Sequence, residues 1–322
     1  MSERCVLIVS TAVDTATDEV VKRLAALSVS HFRINTEDYP FSANFTLRLG
    51  VPDSAGWLQV GDVTLPHPTS VWYRRIRIPN APDDMDPGIY EYCIRESRAA
   101  LLGSVMTSAP RWMSEPAAVW RAEYKPLQLA LAEELGFRIP KTVITNKPAQ
   151  VQSAFATFGG LILKPVRSGH VVQAGEERAI FTSRVLEEHL AAVDEARWCP
   201  AIYQELIPKR FDIRVTVVGD RLFSAAIDSQ SDPDAQVDWR QTSNPQLPHR
   251  RISLPHDLEQ RLRKLMRRLD LQFAGIDLIQ TPDGDYVFLE VNPSGQWLWL
   301  DDMLDFGISD AMANWLSTDV RE

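Results

Sequence analysis

The stretch FAGIDLIQTPDGDYVFLEVNPSG, residues 273–295, reads as a β-hairpin. Two runs rich in β-branched and aromatic residues flank Asp283-Gly284, a dipeptide suited to a tight turn. Asp277 and Glu290 are equidistant from a turn centred between Asp283 and Gly284, so they face each other across the two strands. A symmetric two- or four-residue loop gives the same pairing. Asn292, two residues beyond Glu290, lies on the same face. Two carboxylates facing each other in apolar surroundings repel and are costly to bury. A divalent cation resolves the conflict, because two carboxylates and an amide carbonyl are hard oxygen ligands suited to Mg²⁺. The alternative is that one carboxylate is protonated or paired with an arginine. Beyond the strand, Trp297 and Trp299 share a face if the chain stays extended, packed on the metal strands or on a second copy of the chain.

Working outward, YKPLQLALAEELGF sets Lys125 just before a helix that starts at Pro126 and stops at Gly136, with Leu127, Leu131 and Leu135 on one face. A lone lysine opposes the positive end of the helix dipole, whereas a lysine and a helix N-terminus together suit a phosphate. Lys164 closes the strand LILK, and Ser168 and Gly169 follow in a loop whose backbone amides could approach phosphate oxygens. Solvated lysines are the alternative. In FDIR, Asp212 and Arg214 share a strand face, and Arg240 lies in VDWRQTSN. An arginine beside a Mg²⁺–phosphate site stabilises charge on a transferred phosphoryl group; an ordinary surface ion pair is the other reading.

The N-terminal CVLIVST, DEVVKRLAALS and HFRIN give a β-α-β opening, hence an α/β unit. In SVWYRRIRI, Arg74 and Arg75 alternate along a strand, so only one can face a cleft to guide an acidic peptide; either also suits a sheet edge. HDLEQRLRKLMRRLDL is a helix with an apolar stripe from Leu258 to Leu269. Arg261, Lys264 and Arg268 fall on its basic remainder, which suits an acidic peptide or, with Glu259 in partial compensation, simply water.

Across 322 residues the formal net charge is -9, so a global basic footprint for nucleic acid is absent. No apolar run approaches the ~20 residues of a membrane span. Scattered Cys5, Cys93 and Cys199 suggest buried, reduced thiols, and the short apolar run at the N-terminus is no signal peptide. A cytoplasmic protein is expected.

Taken in order, Lys125, Lys164, YQELI, FDIRVTVVGD, DWRQTSN, Asp277 in GIDLI and EVN resemble the ATP-grasp ligases over residues 110–300. SVWYRR and FLEVNPSGQWLWL are similar to the microviridin-type, or graspetide, members. The resemblance implies an α/β (α+β) ATP-grasp fold: an N-terminal pre-ATP-grasp domain over 1–113, a central subdomain over 114–200 and a metal-bearing C-terminal subdomain over 201–322. It implies that Lys125 and Lys164 hold ATP phosphates, Glu205 and Leu206 line adenine at a hinge, and Asp212 lies near the ribose. Asp277, Glu290 and Asn292 would bind Mg²⁺, and Arg214 and Arg240 would face the phosphates. The implied substrate is a ribosomal precursor peptide with a leader and an acidic core, with a homodimer as the assembly. An Asp or Glu side chain is activated as an acyl-phosphate and captured by Ser or Thr as an ester, or by Lys as an amide. A ligase for amino acids or small carboxylates, a kinase and a nucleotide-binding regulator are the competing readings.

Overall fold

The apolar run Cys5–Ser10 forms β1, buried throughout, and Asp14 then caps α1 (Thr15–Ala26) by accepting from the Thr17 amide. In the computed structural model, residues 5–50, 58–107, 111–167, 169–173 and 176–318 are described. The parallel partner β2 (Ser30–Asn35) completes the expected β-α-β opening. β3 (Phe45–Leu47), β4 (Leu58–Val60) and β5 (Val63–Leu65) make an antiparallel meander. β6 (Ser70–Tyr73), α2 (Pro87–Met106) and β7 (Trp112–Met113) follow, and the parallel sheet runs β2-β1-β6-β7. β6 is interior, so the arginines after it cap no sheet edge.

Next come α3 (Pro116–Ala122), α4 (Lys125–Glu134), β8 (Thr142–Thr145), α5 (Pro148–Thr157), β9 (Leu161–Lys164), the ribbon β10 (His170–Gln173) and β11 (Glu176–Ala179), β12 (Ser183–Val185) and β13 (Ala201–Glu205). Pro126 occupies the first turn of α4, and Gly136 takes a φ of 78° just past its end. The buried face of α4 is rotated from the expected leucine stripe: Gln128, Leu129, Leu131 and Ala132 point inward, and Leu127 and Leu135 are half-buried.

β13 pairs with β8 and β9 in the sheet β12-β9-β13-β8. The expected division at residue 200 therefore falls later, after Glu205, because Ala201–Glu205 completes the central sheet. β14 (Phe211–Val218), β15 (Arg221–Ile227), β16 (His249–Arg251), α6 (His256–Leu269), β17 (Phe273–Gln280) and β18 (Tyr286–Asn292) build an antiparallel sheet in the order β16-β15-β14-β17-β18. Leu258, Leu262, Leu265, Met266 and Leu269 are all buried, as the helical spacing requires.

The tail contains α7 (Leu298–Leu304) and α8 (Ile308–Ser317). One compact unit comprises Met1–Pro116 with Gln296–Glu322, and the other Ala117–Gly295. Residues 296–322, expected within the metal-bearing subdomain, thus belong with the N-terminal unit. There α8 packs on α1 and β6, and Ser70 Oγ donates to the Leu316 carbonyl at 2.7 Å. Trp297 is fully buried against Trp72, ring centroids 5.9 Å apart, and its indole N–H donates to Ser309 Oγ at 3.2 Å. The chain turns helical at Leu298, so Trp297 and Trp299 do not share an extended face. Trp297 serves the core of its own chain rather than a second copy.

Arg74 is 1% exposed. Its guanidinium lies 4.8 Å from the Trp297 ring centroid, donates to Gln296 Oε1 at 3.0 Å and has Nε 3.5 Å from Asp14 Oδ2. It is a core cation and does not guide a peptide at the surface; only Arg75 is exposed enough for that. Cys5 is buried as expected, but Cys199 is exposed. Among the described residues no helix is long and apolar enough to cross a membrane. Replacing Trp297 by Ala removes the large side chain that joins Trp72, Arg74 and Ser309. The unfolding free energy should fall by about 3–5 kcal/mol, measured by urea denaturation followed by circular dichroism.

Candidate active site

Asp277 and Glu290 face each other across β17 and β18, with Gly275 opposite Asn292. The pairing arises by a different route from the one expected. The turn spans five residues: the Thr281 amide donates to Asp285 O at 2.8 Å and the Gly284 amide to Thr281 O at 3.0 Å. This offsets the register by one, so that Leu278 pairs with Phe288, and a bulge at Leu289 restores it before Asp277 meets Glu290.

The Asn292 amide nitrogen lies 2.8 Å from Asp277 Oδ2 and 3.2 Å from Glu290 Oε1, so three polar heads converge. Across β14, Arg214 is the strand partner of Asp277, and its Nη1 is 3.0 Å from each carboxylate oxygen. From the start of α4, Lys125 Nζ is 3.0 Å from Glu290 Oε2 and donates to the Pro165 carbonyl at 3.3 Å. Arg240 Nη1 lies 4.0 Å from Glu290 Oε1. The alternative of arginine pairing thus holds for Asp277, while lysine answers Glu290.

Burial opposes ionisation of Glu290, but Lys125, Lys164 and Arg240 outweigh it and hold the carboxyl at about 2. Asp277 goes the other way: burial raises it, Arg214 pulls against that rise, and Glu290 adds to it. Lys164, buried at the end of β9, is lowered to about 8 by burial, against the attraction of Glu290.

These residues fit a hard divalent cation. Among the described residues no three His, Cys, Asp or Glu side chains gather as a metal cluster, so the oxygen donors here are the two carboxylates, with the Asn292 amide beside them. Its amide head already lies between both carboxylates, and turning it over would present oxygen where nitrogen now lies. The surrounding Lys125, Lys164 and Arg240 supply the positive charge that a polyphosphate requires.

Other expected residues take different positions. Asp212 is buried and held by Lys209 at 2.7 Å and by the Ser229 hydroxyl. Glu205 ends β13 with its carboxylate 3.7 Å from Lys141, and the Leu206 amide donates to Gly160 O at 2.9 Å. Gly169 serves close approach: a Cβ there would lie 2.1 Å from the Ile180 carbonyl oxygen. Ser168 lies outside the described residues. Arg268 pairs with Glu134 at 2.7 Å, and Arg261 reaches Asp257 and the Gly136 carbonyl, so two of the three helix cations are occupied internally. Lys264 is exposed.

Sequence reading missed the residues that hold the arginines in place. A Cβ on Gly275 would lie 2.2 Å from Arg214 Nη2, and one on Gly295 2.5 Å from it, so the guanidinium rests against two bare backbones. A glycine inside a buried strand was the available signal. Asp238 holds Arg240 in a two-point pair at 2.8 and 2.7 Å and accepts from the Thr182 amide at 3.3 Å. Only its proximity to Arg240 in VDWR hinted at that.

Residues 5–119 match the MvdD pre-ATP grasp domain. The macrocyclase MdnC of Microcystis aeruginosa MRC, solved with precursor peptide MdnA, is 33% identical and superposes with a TM-score of 0.86, covering 97% of this chain and 98% of its own. The macrocyclase MdnB of the same strain is 31% identical, with a TM-score of 0.78 and coverage of 97% and 99%. A Chryseobacterium gregarium RiPP-associated ATP-grasp ligase, solved with ADP and a leader and core peptide, is 25% identical, with a TM-score of 0.86 and coverage of 97% and 96%. The α/β ATP-grasp fold with its pre-ATP-grasp domain is therefore that of a ligase, and the chain belongs to the microviridin-type ATP-grasp macrocyclases.

Proposed function

We propose that this ligase uses ATP and Mg²⁺ to close side-chain rings on a ribosomal precursor peptide with a leader and an acidic core. The convergence of Asp277, Glu290 and Asn292 beside Lys125, Lys164 and Arg240 carries this reading. When bound, ATP supplies a phosphoryl group that turns a peptide carboxylate into an acyl-phosphate, and Mg²⁺ draws charge from the phosphates.

The chain's own residues account for the rest. Asp277, Glu290 and Asn292 would hold the metal. Lys125 and Lys164 would bind phosphate oxygens, and Arg240, fixed by Asp238, would face charge developing on the transferred group. Arg214 keeps Asp277 in place beneath that charge. Ring closure follows when a Ser or Thr hydroxyl or a Lys amine of the same peptide attacks the activated carbonyl, giving an ester or amide and releasing phosphate. No protein nucleophile is required, in keeping with a site built of acids, amides and fixed cations.

Incubated with ATP, Mg²⁺ and its precursor, the protein should yield peptide lighter by one water per ring by mass spectrometry. A competing kinase would instead leave the mass of a phosphate on its product. Asp277→Asn and Glu290→Gln should each abolish the loss of water while circular dichroism stays unchanged; full activity in either variant excludes the metal role.

The Lys164 ammonium supports phosphate binding only while protonated. Its contribution to nucleotide affinity should be full well below pH 8 and decline as pH rises through about 8. Titration calorimetry with an ATP analogue across that range checks this. Lys164→Met should bind weakly and lose that part of the pH dependence.

A further inference from the structure

β18 is the outer strand of its five-stranded sheet, so one row of its backbone groups has no neighbouring strand. The Phe288 amide is satisfied by the Arg138 carbonyl at 2.8 Å. Further along, the Val291 peptide groups are satisfied by a side chain. Gln128 Oε1 accepts from the Val291 amide at 2.8 Å, and Gln128 Nε2 donates to the Val291 carbonyl at 2.8 Å. The same nitrogen also donates to the Ala122 carbonyl. One carboxamide therefore acts as a one-residue strand added to the sheet edge.

Its location gives this clamp a functional consequence. Val291 stands between Glu290 and Asn292, and its own side chain is buried on the opposite face. Fixing both polar groups of Val291 fixes the backbone from which both outer metal-binding side chains project. Gln128 is itself 1% exposed, so its amide is shielded from bulk solvent. It also lies one turn along α4 from Lys125, which pairs with Glu290. The helix thus grips the strand at two points, by charge at Glu290 and by a neutral amide at Val291.

We propose that Gln128 is a positioning residue for the metal site, setting Glu290 and Asn292 through the Val291 peptide. It touches no reacting atom. This rests on the assignment of Asp277, Glu290 and Asn292 as metal donors. An apolar residue of similar size at 128 leaves the buried Val291 N–H and C=O unpaired and frees the strand to shift. Residues that orient metal ligands typically change metal affinity by about 10–100-fold when replaced.

The test measures Mn²⁺ binding by electron paramagnetic resonance with a non-hydrolysable ATP analogue present. Gln128→Met and Gln128→Asn are compared with the parent chain and with Asp277→Asn; the Asn variant keeps the amide but draws it back by one methylene. Both Gln128 variants should bind Mn²⁺ about 10–100-fold more weakly. Their affinity for the analogue in the absence of metal should match the parent, which separates positioning from a general loss of structure. If the Met variant does not fold, the Asn variant carries the test. Unchanged Mn²⁺ affinity in a folded Gln128 variant, or an equal loss of metal-free nucleotide affinity, overturns the proposal. If Asp277→Asn also leaves Mn²⁺ binding intact, the metal assignment fails and the proposal falls with it; if only Gln128 is without effect, the assignment stands alone.

Discussion

An aspartate and a glutamate side by side in the interior of a sheet have to be compensated electrostatically, and the local sequence answers to that demand. Across β14, β17 and β18 runs a row of side chains: Arg214, then Asp277, then Glu290, with Lys125 closing it from α4. The signs read plus, minus, minus, plus. Burying a carboxylate without a partner is prohibitive, whereas a compensated row can be buried. Gly275 and Gly295 follow from the same demand, since Arg214 can lie flat over the strand only where no Cβ stands in its way. Asp238 repeats the device for Arg240.

The same row decides how the site meets its ligands. Any anion that recruits Lys125 competes with Glu290, and any cation that recruits Asp277 competes with Arg214. A ligand at this site would exchange partners with a largely buried network, and only the difference between the two sets would appear as affinity. Glu290 is held low by Lys125, Lys164 and Arg240, whereas burial and the neighbouring Glu290 push Asp277 up against Arg214 and Arg240.

How much of this was legible in the sequence depended on whether the signal was periodic. The pairing of Asp277 with Glu290 was readable from alternation around Asp283-Gly284, yet the turn is a residue longer on one side and the bulge at Leu289 cancels the difference. Two departures hid each other, because burial of one face fixes strand register more firmly than turn geometry does. The α6 stripe was readable for the same reason. Gln128 was not, because a polar residue in a helix gives no sign of what it will meet across space. Arg74 misled: beside an exposed Arg75 nothing in VWYRR marks one of the pair as buried, and its partners Asp14, Gln296 and Trp297 are distant in sequence. The order of the lysines and carboxylates carried the site nonetheless, since each sits at an element end or strand position that its own neighbours define.

Trp297 belongs to the core of a unit whose other members are mostly encoded before residue 117. Chains emerge from the ribosome N-terminus first, at roughly 5–20 residues each second, and domains tend to fold as they emerge. Here the earliest unit to appear is the last that can be finished. Trp72 and the buried Arg74 wait for their partner until the whole of Ala117–Gly295 has been synthesised. A chain ending before residue 296 would leave Arg74 without its contacts to Gln296 and Trp297.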